Sequence, residues 1–230
     1  NAGIKAWTAR TANARLEYYF PGVGQISAGG FLRNYENFFE AVTFRPPADF
    51  FELYAIDPSV YGGYDVATQR NVPGTVKTSG VDFSYKQALT RLPPWARGVQ
   101  VFANASAQRV TGEAAANFAG YVPRVYSWGV SLTRRTFNVR ANWNYRGRQR
   151  DGGGLASDPQ SYAWVSKKLN LDLQGEFFLR RGLALFANLR NVNDATEDFE
   201  IHGPATPAHA QFRSRQDFGS LWTVGLKGSF

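Results

Sequence analysis

The amino-acid sequence predicts an all-β fold, an antiparallel transmembrane β-barrel of about nine strands, and three observations lead to that prediction. Apolar and polar residues alternate with a period of two through much of the chain, which is typical of strands that separate two environments. The connections between these segments are alternately short and long, and aromatic residues collect towards both ends of the segments. Barrels of bacterial outer membranes combine these features, because short turns lie on one side of the membrane and long loops on the other.

Alternation is clearest in three segments. In 137–145 every odd position is apolar or aromatic and every even position is Asn or Arg, and 165–177 follows the same rule except at Lys167. The third segment, 221–230, ends the chain and carries its apolar residues on one face. Many of these segments reach the ~9–11 residues that a tilted strand needs to cross a membrane. Weaker alternation predicts further strands at 14–20, 25–39, 76–89, 99–109, 124–133 and 183–190.

The predicted connections differ in length in a regular order. Short turns are expected at 21–24, 91–98, 133–136 and 180–182, and longer loops at 46–73, 111–123, 151–161 and 192–217. Rings that sit half in water suit the two membrane interfaces. Those predicted near the long loops are Trp128, Trp143, Tyr145, Tyr162 and Trp164, and those predicted near the short turns are Tyr18, Phe20, Phe177 and Phe230. The alternative for these rings is the core of a soluble barrel.

Composition excludes several other classes of protein. Hydrophobic residues make up 43% of the chain, yet no apolar run approaches the ~18 residues of a membrane helix. There is no Cys, so disulfides, thiol catalysis and Cys-based metal sites are ruled out, which fits an oxidising compartment. The net charge is +8, but the Arg residues are spread along the chain, so nucleic acid is not expected as a partner. The first residue is Asn1, with no signal peptide before it, so we expect a processed chain or a fragment.

One predicted loop is rich in aromatic residues. Loops as long as 46–73 are commonly functional, and aromatic loops suit the capture of a ligand. The alternative is that the rings pack on neighbouring loops. The candidate ligand-binding residues in this loop are Phe50, Phe51, Tyr54, Tyr61 and Tyr64.

Charged and imidazole side chains supply the remaining candidates. His202 and His209, the only histidines, lie in the last long loop and could contact a ligand or metal, although two loop histidines without Cys are more commonly ordinary loop residues. Arg148 and Arg150 are candidates for anionic ligands, and they extend a basic strip of Arg140, Arg146, Lys168 and Arg190 that could instead pair with Glu17, Asp82, Asp172 and Glu176. The acidic residues Glu197, Asp198 and Glu200 could suggest calcium, but solvated loop charge is the simpler interpretation. No catalytic set, cofactor site or metal site is predicted.

Several segments resemble the C-terminal part of the barrel of TonB-dependent outer-membrane transporters. The segment Thr78-Ser79-Gly80-Val81-Asp82-Phe83-Ser84-Tyr85 is similar to one barrel strand of that family, and 16–20 with 25–39 is similar to an earlier pair. The run Asn188-Leu189-Arg190-Asn191-Val192-Asn193-Asp194 is similar to the penultimate strand and its exit. The terminal residues Trp222, Val224, Leu226 and Phe230 resemble the signal read by the barrel-insertion machinery, with Gly228 where a larger apolar residue is usual.

The resemblance implies a non-enzymatic transporter with a 22-stranded barrel in the outer membrane of a Gram-negative bacterium. Residues 1–230 would then be its C-terminal barrel segment, without the N-terminal plug through which such transporters contact TonB. An odd number of antiparallel strands cannot close, so nine strands should be part of a barrel. The implied cargo is a scarce, bulky nutrient such as siderophore-iron, a similar chelate or an oligosaccharide. A passive porin, an enzyme barrel and a soluble all-β binding module remain as alternatives.

Overall fold

A computed structural model describes residues 3–21, 24–112, 120–153 and 160–228, and strands dominate it. Two short helices, α1 at Ala48–Leu53 and α2 at Pro58–Tyr61, lie in one connection. Among the described residues, no helix is long and apolar enough to cross a membrane. The strands are β1 Thr8–Phe20, β2 Gly24–Glu36, β3 Phe39–Phe44, β4 Val66–Asn71, β5 Val76–Ala88, β6 Val99–Thr111, β7 Arg124–Thr133, β8 Phe137–Arg146, β9 Gln149–Gly153, β10 Tyr162–Val165, β11 Lys168–Arg180, β12 Leu183–Arg190, β13 Glu197–His202, β14 Phe212–Gln216 and β15 Leu221–Gly228.

Nine of these strands form one antiparallel sheet in the order β1-β2-β5-β6-β7-β8-β11-β12-β15. They correspond one to one to the nine strands that alternation predicts, so the strand prediction is confirmed. Several boundaries differ, among them the end of β2 at Glu36 rather than 39 and the end of β11 at Arg180 rather than 177. β1 begins at Thr8, six residues before the predicted start at 14, and the segment predicted as 165–177 is divided between β10 and β11. The division falls at Lys167, the residue that breaks the alternation.

The long connections are more ordered than the sequence predicts. β3 pairs with β4, and β9, β10, β13 and β14 form a second sheet in the order β14-β13-β10-β9. The prediction that 46–73, 151–161 and 192–217 are loops is therefore wrong in part. These strands have four to six residues. Alternation over so few residues cannot be separated from loop sequence. All of them lie in connections at one end of the nine-stranded sheet, and the four connections at its other end are short.

Register places apolar side chains in continuous rows across one face of the main sheet. Tyr126 lies opposite Tyr145 and Trp128 opposite Trp143, and both ring pairs are stacked, with centroids 5.4 Å and 6.3 Å apart. The row continues from Trp143 to Leu171 of β11. Such cross-strand pairs stabilise a sheet by roughly 0.2–1 kcal/mol each.

That apolar face is uncovered, which decides between a membrane barrel and a soluble sandwich. Leu16 is 81% exposed and Val224 68% exposed, and most of the apolar side chains between them are also open. Among the described residues only five apolar side chains are buried, namely Val72, Val76, Ala96, Val165 and Ala184. A soluble sandwich would bury this face as its core. The open apolar face therefore favours the membrane barrel over the soluble alternative, with lipid as its cover.

The opposite face is polar and concave. Lys227 of β15 reaches Glu176 of β11 across the intervening strand at 3.4 Å. Ser84 donates a hydrogen bond to Asn104 (2.8 Å), and Asn104 donates one to Ser127 (3.3 Å). A chain of polar contacts thus crosses successive strands, as expected of a barrel lumen.

Three phenylalanines on this polar face each lie over a glycine of the adjacent strand. Register places Phe31 opposite Gly80, Phe102 opposite Gly129 and Phe186 opposite Gly225. A Cβ built on these glycines would lie 2.6, 2.6 and 2.9 Å from the respective ring. Each ring therefore fills the space that the missing side chain leaves, which is how an aromatic neighbour supports a glycine in a sheet.

The exit from β12 explains the Asn-rich motif in 188–194. Asn191 adopts a left-handed conformation (φ 52°), and its side-chain amide donates to the Gly219 carbonyl at 2.8 Å. The side chain of Asn193 accepts a hydrogen bond from the Leu171 amide and donates one to the Leu169 carbonyl, both at 2.7 Å. Asn193 thus pairs with β11 as a strand residue would and continues the ladder beyond the end of β12.

The two edges of the main sheet are β1 and β15. On β15, Trp222, Val224 and Leu226 share the exposed apolar face, as the terminal pattern predicts. Phe230, the last residue of the expected insertion signal, lies outside the described residues.

The aromatic belts are confirmed only in part. Tyr18 and Phe20 contact each other near a short turn, with ring centroids 5.2 Å apart, in agreement with the prediction. Tyr162 and Trp164 were expected in the belt near the long loops. They lie instead in β10 of the four-stranded sheet, because the strand breaks before β11.

Replacing Gly129 by Val tests the glycine pairing. A Cβ there would lie 2.5 Å from the Ala141 carbonyl oxygen and 2.6 Å from the Phe102 ring, so we expect destabilisation of about 1–3 kcal/mol. The control is Gly175→Ala, since nothing lies within 4 Å of that Cβ position. The measurement is the urea midpoint of unfolding in detergent. Equal midpoints for the two variants would contradict the pairing.

Candidate ligand-binding loops

The aromatic connection between β3 and β4 folds into a small structured unit. Residue Pro47 precedes α1, and Ala55 ends the turn after it in a left-handed conformation (φ 51°). The carboxylate of Asp57 caps α2 by accepting a hydrogen bond from the Ser59 amide at 2.8 Å. The hydrogen bonds from the Ser59 side chain and backbone lower the pKa of Asp57, because they favour its charged form.

These two helices enclose an apolar cavity of about 460 Å³. Phe50 is at the centre of its aromatic wall, with ring centroids 4.6 Å from Tyr54 and 6.2 Å from Phe44. Asp57 is the only charged residue in the lining. The side chains and backbone that line the cavity are Pro46, Phe50, Phe51, Ala55, Ile56, Asp57, Tyr61, Tyr64 and Val66.

Four of the five aromatic residues singled out in the sequence therefore line one cavity. The fifth, Tyr54, does not line it but contacts the Phe50 ring. The alternative expectation, that the rings pack on neighbouring loops, is not what these contacts show. The Phe50 ring contacts Phe44, Phe51 and Tyr54, all of which belong to β3 or to the connection between β3 and β4.

Arg45 holds this unit closed. Its guanidinium donates hydrogen bonds to the carbonyl oxygens of Gly62 (2.6 Å) and Gly63 (2.7 Å), and it lies 3.6 Å from the Asp65 carboxylate. The planar guanidinium can make these contacts together because its donors diverge in a fixed fork. Arg45 thus joins the end of β3 to the segment after α2.

The base of the same unit is fixed to the main sheet. Asn71 at the end of β4 pairs with the Lys5 backbone on both sides, accepting from its amide at 2.8 Å and donating to its carbonyl at 3.0 Å. Val72 and Val76 form a small buried cluster with Tyr35, Phe38 and Val110 packed against it. The cavity is therefore attached to a rigid support.

The four-stranded sheet brings together the charged candidates. Arg148 donates to Glu200 at 3.1 Å, and Glu200 also lies 2.8 Å from the Nε2 atom of His202. The guanidinium of Arg148 stacks 4.3 Å from the centroid of the Trp164 ring, and that of Arg150 lies 4.7 Å from the Tyr162 ring. The sequence-predicted residues Arg148 and His202 thus share Glu200 as a partner, and Arg150 packs on the Tyr162 ring in the same sheet.

Glu197 connects this sheet to the ends of two membrane strands. Its carboxylate pairs with Arg146 of β8 at 3.1 Å and with Lys168 of β11 at 3.3 Å. Burial alone would raise the pKa of Glu197, but hydrogen bonds and charges from Arg146 and Lys168 outweigh it and lower that pKa. The adjacent Asp198 forms a two-pronged pair with Arg215, at 2.7 and 2.9 Å, which lowers the pKa of Asp198.

These pairs correct two expectations. Glu197, Asp198 and Glu200 were interpreted as solvated loop charge, but each one has a basic partner. For Arg146 and Lys168, the sequence left open an anionic ligand or pairing within the strand wall, and the structure shows Glu197 of the loop sheet as their partner. In the wall, Glu17 lies 3.0 Å from Arg15, a residue that the predicted strip omits.

The two histidines do not come together as one site. His202 ends β13, whereas His209 lies in a separate 3₁₀ turn, Ala208–Ala210. Within the described ranges, no group of three or more His, Asp or Glu side chains is placed to hold a metal ion. Sequence reasoning missed Arg45 and Asn71, because single Arg and Asn residues in a loop carry no periodic signal.

An uncovered apolar face, a concave polar face and structured connections at one end define a segment of the wall of a transmembrane β-barrel with its external loops. The family model for the β-barrel of TonB-dependent receptor-like proteins matches residues 1–192. The chain belongs to the TonB-dependent receptor β-barrel family. Membership in a family of receptors agrees with the expectation of a non-enzymatic protein.

Solved structures with the same fold are receptors and transporters. The ferric-catecholate import receptor Fiu from E. coli K12 matches with a TM-score of 0.61 and 14% identity, over 99% of this chain and 28% of that one. The copper transporter OprC matches with a TM-score of 0.62 and 16% identity, over 100% of this chain and 32% of that one. The chain therefore spans about a third of their length. No curated protein matches it.

Replacing Glu197 by Gln tests the connection between the two sheets. The pKa of Glu197 is lowered on folding, so its contribution is full above the unfolded value of about 4.5 and is lost as the pH falls through the folded pKa. We expect the E197Q loops to be cleaved faster by protease at neutral pH, with less additional sensitivity on acidification than wild type. The control is Asp151→Asn in β9. Identical acid sensitivity of E197Q and wild type would refute the role of Glu197.

Proposed function

We propose that the chain forms part of the wall and the external loops of a TonB-energised transporter in the outer membrane of a Gram-negative bacterium. The observation that carries this proposal is a structured, cavity-bearing loop layer at one end of a sheet whose outer face is apolar. A passive channel needs no such cavity, because its solutes pass through without being captured. Family membership supports energised uptake as the general activity.

The position of the chain in the whole transporter is part of the proposal. The main sheet has two unpaired edges, β1 and β15, and similar transporters are about three times as long. We place these nine strands in the C-terminal portion of a 22-stranded barrel. The polar concave face would then face the plug, through which TonB acts, and β15 would meet the barrel-insertion machinery.

The cargo in this proposal is a scarce, bulky nutrient, with siderophore-iron or a similar chelate as the leading class and an oligosaccharide as another. Fiu imports a ferric catecholate and OprC transports copper, which supports the chelate class. The cavity beside Phe50 and Tyr61 suits an apolar or aromatic part of the cargo, because rings offer large contact area at little entropic cost.

Uptake measurements in cells test the energy requirement. Cells that express the complete receptor are given radiolabelled iron as a ferric catecholate, with and without the TonB protein. The proposal expects accumulation only when TonB is present. Equal accumulation without TonB would indicate a passive channel and would overturn it. A parallel arm with labelled copper separates ferric-catecholate cargo from copper cargo.

Replacing Phe51 by Ala tests the cavity. Removal of a ring that lines it should weaken cargo binding by about 1–3 kcal/mol, or roughly fivefold to 150-fold in Kd. The matched control is Leu53→Ala, on the same helix, because Leu53 is 77% exposed and does not line the cavity. Binding to the purified receptor is measured by fluorescence quenching. A Kd of F51A equal to that of L53A would exclude the cavity as the binding site.

A further inference from the structure

Four basic residues lie on the apolar face of the main sheet, where charge is not expected. Alternation along each strand places Arg10, Lys77, Arg109 and Arg124 on the same side as Leu32, Val81, Ala105 and Tyr126. We call these four residues the basic patch. All four side chains are exposed, and all lie at the long-loop end of their strands.

The patch is continuous across neighbouring strands. Lys77 of β5 lies diagonally across from Arg109 of β6, since the register pairs Lys77 with Thr111 and Ser79 with Arg109. Arg124 of β7 is diagonal to Arg109 in the same way, because Arg124 pairs with Ala107. Diagonal neighbours in a sheet are about 7–8 Å apart, within reach of long side chains. Arg10 joins the patch through Asn34, which lies between it and Lys77.

The described residues compensate only part of the charge of the patch. None of the four side chains forms an ion pair with a described residue. The one carboxylate on the outer face of the nine described strands is Glu36, at the end of β2. It is diagonal to Arg10 and Lys77 in the register but forms no ion pair with either. Arg109 and Arg124 have no acidic neighbour on that face, whereas on the polar face Arg15, Arg146, Lys168 and Lys227 each pair with a carboxylate. Like charges this close repel one another, so the arrangement calls for an external anion.

The position of the patch shows which anion fits. Along β7, Trp128, Tyr126 and Arg124 follow one another on the outer face, so the basic side chain lies just beyond the stacked ring pairs. Aromatic side chains mark the boundary of the hydrocarbon layer, and the next layer outward holds the lipid headgroups. Arg and Lys at that depth meet phosphate groups. The polar side chains of Asn34, Ser79 and Thr111 between them supply further hydrogen-bonding groups.

We propose that the basic patch binds the phosphate groups of an anionic lipid in the leaflet on the long-loop side. The proposal goes beyond cargo uptake and rests only on the membrane location in the proposed function. Arg109 and Arg124, on adjacent strands, would bind the phosphate of one headgroup, and Lys77 would lie beside them. The acyl chains would lie on the apolar rows below.

Binding of a phosphorylated glycolipid to the purified, complete receptor tests this proposal. Lipid A with two phosphates is titrated into the receptor in dodecyl maltoside, and bound lipid is counted by native mass spectrometry. The triple variant K77Q/R109Q/R124Q should bind at least about tenfold more weakly. The control R91Q/R97Q/R135Q removes the same charge from the short-turn end and should bind as wild type does.

Two further arms separate the possible sources of binding. Lipid A without its phosphates should bind the wild-type receptor as weakly as lipid A binds the triple variant. Inorganic phosphate at the same concentration should not displace the lipid. The proposal is overturned by equal binding to the wild-type and triple-variant receptors, by equal binding of the dephosphorylated lipid, or by displacement with inorganic phosphate.

Folding and uptake are followed separately. Heat-modifiable migration on a gel reports whether the barrel is folded. If the triple variant does not fold, the single variants K77Q and R124Q replace it. Each single variant is expected to weaken lipid binding about threefold. Lipid binding in detergent needs no energy from TonB. A receptor that binds lipid as expected but accumulates no cargo would refute the proposed function and leave the lipid site standing.

Discussion

The structure depends on one constraint, which is that a single sheet must present an apolar face and a polar face to two different surroundings. Strand alternation sends every second side chain to each side, so Trp143 and Asn142 belong to different environments although they are neighbours in sequence. In lipid the backbone must also find all its hydrogen bonds within the sheet. The continuous register from β1 to β15 meets that requirement for every strand except the two at the edges.

Alternation was sufficient to find the nine strands. In a long strand, a loss of the period of two would put many side chains on the wrong face, and each one would cost free energy. The same signal fails in the connections. Strands β9, β10, β13 and β14 are short, and their pairing is set by tertiary partners such as Glu197 and Arg146, which are 51 positions apart in sequence. The candidate site was predictable to the same extent. A cluster of rings in one loop is visible in sequence. The hydrogen bonds from Arg45 to Gly62 and Gly63 depend on a fold that the sequence pattern does not reveal.

On the polar face, residues that break the alternation of polar and apolar side chains are accommodated by pairing across strands. A phenylalanine there contradicts the alternation, and a glycine on the neighbouring strand weakens the sheet when taken alone. Placed opposite each other, as Phe102 and Gly129 are, the ring covers the exposed backbone and the glycine makes room for the ring. The pairing occurs three times on different strands, so it is a recurrent means of fitting large side chains into a concave wall. Single-sequence patterns cannot find it, because it is a property of register.

The loop layer and the outer face use charge in opposite ways. In the four-stranded sheet, each carboxylate of Glu197, Asp198 and Glu200 has a basic partner, so the loops are held together by internal pairs. On the outer face, Lys77, Arg109 and Arg124 have no such partner among the described residues, although they lie only a few residues from the same loops. Internal pairing keeps the loop sheet in place over the strands. The unpaired charge on the outer face is what the proposed lipid phosphates would neutralise.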